Sequence, residues 1–265
     1  MKKLELTTAV GHAANGENHY LGYAVGRELA GRETQTGLVA LAIGARRLTS
    51  AERAVLDDIA VVMTVADPRI WPLKLARVVA SYGSTLPAMA AANLCIERAF
   101  IGHWTSGTAA ETLVSLREAI GESIDDEVLV SREALHFLAT RRRWMGFGVP
   151  FRDQDERVAA LRRCLENRGR TSQPYWRLLE TLSKVLYQHK KLRPNIGIAV
   201  GAACLDLGYS PREVSLLSVA LGQTDYLANA VEGAAQAPEM LRELPARIVR
   251  YVGPARRRTP RACNL

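Results

Sequence analysis

Cysteine is scarce in this 265-residue chain. Cys95, Cys164, Cys204 and Cys263 lie far apart, and no CxxC pair occurs. That spacing argues against a zinc site or a disulfide framework and predicts buried thiols, so no metal is expected. No apolar run reaches the ~18 residues of a membrane span. The opening MKKLELTTAVGH lacks the apolar stretch of a signal peptide. The expectation is a cytoplasmic protein with no membrane partner. Aromatic residues make up only 6% of the chain, and arginine does not alternate with them as it does where bases are stacked. Nucleic acid is therefore a disfavoured partner. Also missing are GxxxxGK[ST], GxGxxG after a strand, HExxH and GxSxG, the commonest phosphate-loop, dinucleotide, zinc-peptidase and serine-hydrolase signatures.

What is present describes a globular protein. Hydrophobic residues are 48% and charged residues 23%, a balance that buries a core. The length suits one large domain or two. Net charge is 35 − 27 = +8 with a pI near 9.6. Such a surface attracts polyanions, whether nucleic acid or a phosphate-rich small molecule such as coenzyme A or a nucleotide. Part of the excess sits in TRRRW (Thr140–Trp144) and ARRRTPR (Ala255–Arg261). The second reads as a loose tail, and salt-dependent nucleic-acid binding through it is a third, weaker alternative for function.

Hydrophobic periodicity predicts helices nearly throughout. In Ser50–Ala66, Ser50 suits an N-cap, and Leu56, Ile59, Ala60 and Met63 recur at helical spacing. Trp71–Gly83 follows, with Gly83 as its C-cap. Leu86–Gly102 is alanine-rich and apolar on most sides, which predicts a buried helix. Thr108–Glu122, Asp155–Gly169 and Pro174–Lys191 are amphipathic. Asn195–Ser210 is almost wholly apolar and is expected at the centre, and Pro211–Gln236 gives one or two more helices. Thr36–Gly44 and Val128–Ser131 fit either strand or helix. These patterns indicate a mostly α protein and, taken alone, say nothing further about function.

The order of several segments says more. WMGFGVPFRDQDER (Trp144–Arg157) has the frame of a catalytic loop with a valine after Gly-Phe-Gly. It is followed by RPNIGIAVGAACLDLGYSP (Arg193–Pro211), ALGQTDYLANAVEGAAQ (Ala220–Gln236) and LPARIVRYVGP (Leu244–Pro254). Together they resemble the C-terminal half of the citrate synthase family, most closely its short citryl-CoA-lyase-like branch, whose loop reads Gly-Phe-Gly-His-Pro and ends in Asp-Pro-Arg. Upstream, Leu75–Gly83 and Phe100–Leu113 are similar to the helix and loop that carry the family's first histidine, and Gly16–Gly31 to its N-terminal segment. The resemblance covers most of the chain. It implies an all-α, citrate-synthase-like fold, with a large helical domain over 1–107 and 192–265 and a smaller one over 108–191. It also implies a homodimer, and a CoA thioester as substrate held beside the loop, with Gly146, Phe147 and Gly148 at the cofactor portion and Arg143 at its phosphates.

Family chemistry joins or splits a carbon–carbon bond next to the thioester. One histidine binds the thioester oxygen, an aspartate takes the α-proton, and a second histidine polarises the acceptor ketone. In this frame the first histidine falls on Thr105, the second on Val149 and the aspartate on Gly197. The carboxylate-binding arginine appears as Gln223, and a further histidine as Asn229. Two readings follow. The favoured one is an atypical enzyme that makes or breaks a carbon–carbon bond on an acyl-CoA or related carboxylic acid. Its catalytic groups would be His103, Thr105 and Asp225, with Asn229, Gln223 and Arg152 binding substrate. The alternative is a non-catalytic member that binds a ligand or serves as a scaffold.

Overall fold

The computed structural model describes residues 5–14, 16–65, 67–96, 102–141, 144–149, 153–238, 246–248 and 250–255. The chain opens on a small antiparallel sheet in the order β1 (Gly11–Ala14), β2 (Glu17–Tyr20) and β3 (Tyr23–Ala24), in which Gly11 pairs with Tyr20 and His19 with Ala24. After a π-helical turn at Val25–Leu29, the remainder is α1 (Gln35–Gly44), α2 (Ser50–Val62), α3 (Trp71–Ala80), α4 (Thr85–Ile96), α5 (Thr105–Ile120), α6 (Glu127–Arg141), α7 (Glu156–Asn167), α8 (Pro174–Lys190), α9 (Ile196–Asp206), α10 (Pro211–Leu221) and α11 (Gln223–Ala234). The all-α expectation holds. Thr36–Gly44 and Val128–Ser131, open between strand and helix in sequence, are both helical.

Local chemistry sets the boundaries. The N-cap of α2 is Thr49 and not Ser50: Thr49 and Glu52 form a reciprocal capping box. A second box, Ser210 with Glu213, starts α10 behind Pro211. Helix α3 ends at Ala80, with Ser81 as its C-cap, three residues short of the expected Gly83. The Pro211–Gln236 segment breaks at Gly222 into two helices.

Helix α9 is the centre of the molecule. Every residue from Ile198 to Cys204 is buried, and α5 and α8 pack along it. Gly107 lets α5 approach α10 closely, because a Cβ there would overlap Ser215 and the carbonyl of Pro211. A second core joins Leu73 and Ala76 of α3, Ala92 and Ile96 of α4, and Tyr226 of α11. Here one expectation is corrected. Helix α4 is not buried on most sides: it inserts Ala88, Ala92 and Ile96 and leaves Leu86 and Leu94 exposed, Leu94 at 84%. Its uniform apolarity hid which face packs. The cysteine expectation is corrected in part as well: Cys204 is buried, Cys95 and Cys164 are half-buried, and all three are free. Cys263 lies outside the described residues.

Helix α8 lacks a side-chain cap of its own. The cap comes from α9, where the two carboxylate oxygens of Asp206 accept from the backbone N–H groups of Tyr175 (2.8 Å) and Trp176 (2.9 Å). Burial pushes the Asp206 carboxyl up to about 6, against the downward pull of those two hydrogen bonds and of Arg117 and Arg170. A raised folded value means that protonation favours the fold. The contribution is complete below the ordinary carboxylate value of ~3.9 and is lost as pH rises through about 6. Asp206→Asn removes this titration. From about pH 4 to about pH 8, urea unfolding should show wild type losing up to about 3 kcal/mol relative to the variant. A difference that does not change with pH would contradict the assignment.

Candidate functional site

A cavity of about 240 Å³ opens where five chain segments meet: the α2–α3 connection, the residues entering α5, the Gly-Phe-Gly loop, and the first turns of α7 and α9. Three helix N-termini therefore border it, and N-termini carry partial positive charge. Asp155 caps α7 and Asn195 caps α9, whereas α5 begins without a side-chain cap.

Asp155 fixes the floor. Its Oδ1 accepts from Nε of Arg157 at 2.8 Å, and its Oδ2 from Nη2 of Arg157 and from the backbone N–H of Ile196, both at 2.9 Å. Burial pushes this carboxyl up. The bonds from the Arg157 guanidinium and the Ile196 N–H outweigh that effect and hold it below the ordinary carboxylate value. Asp155 is thus a permanently engaged anion, and Arg157, which also lines the cavity, is oriented by it.

The Gly-Phe-Gly loop is joined to the approach of α9. Gly148 N–H donates to Arg193 O, Asn195 N–H donates to Gly146 O, and Asn195 Nδ2 donates to Gly148 O. Phe147 forms a bridge with Pro194 and packs edge-on against Trp144. Gly146 sits at φ +85°, and a Cβ there would overlap Ile198. Gly146 and Phe147 thus build the frame, and Gly148 and Val149 face the cavity.

The buried His103 also lines the cavity, but both of its ring nitrogens lie against α11. Nδ1 is 3.2 Å from the Tyr226 hydroxyl. Nε2 is 3.2 Å from Asp225 Oδ2 but out of line for a hydrogen bond. The ring occupies the space that any side chain at Gly222 would need. Asp225, 1% exposed, accepts from the backbone N–H of Val65 at 2.9 Å and so ties the α2–α3 connection to α11. Burial, and then the Asp225 charge, push the Tyr226 phenol up and keep it neutral.

Of the residues singled out in sequence, His103, Thr105 and Gly148 meet at the cavity, together with Val149 and Gly197. Asp225 stands behind His103. Gln223 lies elsewhere, in a reciprocal amide pair with Asn93 (2.9 and 3.0 Å) that joins α11 to α4. Asn229 is buried and donates to Asp225 O at 2.9 Å. Arg143 and Arg152 lie outside the described residues. Sequence reading missed the lining residues Met63, Arg69, Ser106, Asn195 and Val200. Asn195 carried a signal, as an asparagine immediately before a helix; the others did not. Among the described residues no three His, Cys, Asp or Glu side chains gather to hold a metal, and no helix is long and apolar enough to cross a membrane.

No protein-family model matches the chain, and no curated protein matches it in sequence. Solved structures do. Citryl-CoA lyase from Hydrogenobacter thermophilus superposes with a TM-score of 0.76 at 20% identity, covering 96% of this chain and 97% of that one. The fold is that of citrate synthase. An ATP citrate lyase from Methanosaeta concilii, in complex with (3S)-citryl-CoA, gives 0.75 at 14% identity over 96% of this chain and 43% of its own. Citrate synthase from Thermotoga maritima gives 0.56 at 15% identity over 96% and 95%. In this citrate-synthase fold, the three positions equated by resemblance with the catalytic His, His and Asp line one cavity, as Thr105, Val149 and Gly197.

The loop geometry can be tested directly. Gly146→Ala combines a left-handed backbone with overlap onto Ile198 and should destabilise by about 3 kcal/mol, seen as a lower denaturation midpoint. An unchanged midpoint would show that the loop yields without cost.

Proposed function

We propose that the protein binds an acyl-CoA thioester or a related small carboxylic acid in this cavity, without the family's His/His/Asp chemistry. The observation that carries this reading is the convergence of Thr105, Val149 and Gly197 on one cavity. None of these side chains serves as an acid or base near neutral pH. The uncapped N-terminus of α5 and the Arg157 guanidinium supply attraction for a carboxylate or a thioester oxygen. Gly148, with Arg143 beyond the described residues, remains the proposed CoA side, and Arg152, also beyond them, a proposed substrate-binding group. Closure of the 108–191 unit over ligand belongs to the same proposal.

A second reading, carbon–carbon bond chemistry with replaced groups, is favoured by one observation: a buried His103–Asp225 pair in the cavity wall. Calorimetry with acyl-CoAs and small acids, paired with mass spectrometry of thioesters incubated in D2O, separates the two. Binding in the approximately micromolar range without α-proton exchange above the protein-free rate is expected. Exchange that disappears in His103→Gln would establish the enzyme instead. Absence of binding would falsify both.

Self-association is proposed through α4 and α11, which pack together and expose Leu86, Leu94, Leu227 and Val231. Light scattering should give a dimer for wild type and a monomer for Leu94→Lys. A wild-type monomer would remove this part of the proposal.

A further inference from the structure

Resting on the reading that this cavity is the ligand site, we infer that the group buried in it is a short aliphatic acyl chain. The ligand is a monocarboxylic acid or its thioester, and not a di- or tricarboxylate.

Charge is the first argument. Two arginines and two aspartates line the cavity among the described residues, and they are joined as Arg157–Asp155 and Arg69–Asp67. The described side chains of this wall sum to zero, so the positive field there is that of the helix N-termini alone. A tricarboxylate would bring three negative charges to it, and each buried carboxylate without a cation is strongly disfavoured. One anionic or dipolar head can be accommodated. Arg157 makes three side-chain contacts, two with Asp155 and one with Met63 O at 3.4 Å. That leaves two of the about five N–H donors of a guanidinium.

The polar groups give the second argument. Asn195 is engaged at both ends, through Oδ1 with Gly197 N–H and through Nδ2 with Gly148 O. Thr105 donates its hydroxyl hydrogen to Gly102 O. A ligand bearing a hydroxyl and several carboxylates finds few partners. Much of the remaining lining is hydrocarbon, from Met63, Val65, Ile70, Val149, Ile196 and Val200. Val149 and Gly197 extend that surface across positions where the resemblance implies a histidine and an aspartate.

Size is the third. The cavity of about 240 Å³ is about eight times a water's ~30 Å³ share of liquid volume, a scale that suits a short chain such as that of a six-carbon acid. The chain would lie on the valine and isoleucine wall, with its carboxylate or thioester oxygen towards Arg157 and the first turn of α5.

The test is competition calorimetry on the whole wild-type protein. The free-acid panel runs from acetate to octanoate with 3-methylbutanoate, citrate and oxaloacetate; acetyl-, butyryl- and hexanoyl-CoA form a second series. Affinity should rise about fourfold per methylene, level off near six carbons, and exceed that for citrate. Val149→Asn, at a half-buried position, should weaken hexanoate about tenfold and leave citrate unaffected. Citrate or oxaloacetate binding more tightly than every aliphatic acid would overturn this inference and leave the binding reading intact. Binding of no acid and no thioester would remove that reading, and the inference with it. Variant failure to fold would leave the wild-type series decisive.

Discussion

The cavity depends on one buried carboxylate. Asp155 holds its own helix start, orients Arg157, and accepts the first N–H of α9. Helices α7 and α9 are thereby fixed at their N-termini, and the Gly-Phe-Gly loop is fixed to the α9 approach by the bonds of Gly146 and Gly148 to 193–195. Because α9 is also the most buried helix, the site is referenced to the stiffest part of the core.

The separation of frame from chemistry explains the sequence. The glycines, Phe147, Asp155, Arg157 and Asn195 make backbone and packing contacts that the fold requires. Thr105, Val149 and Gly197 line the cavity, although a side chain at 197 would crowd the Asn195 carboxamide at 3.1 Å. The buried pair of His103 and Asp225 belongs to the wall itself, with His103 at the cavity and Asp225 behind it.

Much of the fold was legible in sequence because period and length agree there: α2, α8 and the almost wholly apolar α9 were visible from residue pattern alone. The sheet was not. Its strands are at most four residues long, too short for alternation to register, although Asn15-Gly16 is the dipeptide that two-residue hairpins favour. Helix α4 misled because an alanine-rich helix has no polar face to mark the outside. For the site, the resemblance located the loop and both flanking positions. It could not show that Gln223 closes onto Asn93, since a long-range amide pair leaves no local pattern.

Gly222 has a bearing on the history of the site. Its missing side chain is occupied space, filled by the His103 ring. Any larger residue at 222 demands that His103 leave first, and loss of His103 strands the buried Asp225 carboxylate without its neighbour. The coupling runs one way: a side chain at 222 needs the His103 ring moved. Single substitutions at 149 or 197 can therefore alter what the cavity accepts, but they leave this corner as it is. Reshaping that corner starts at 103 and not at 222.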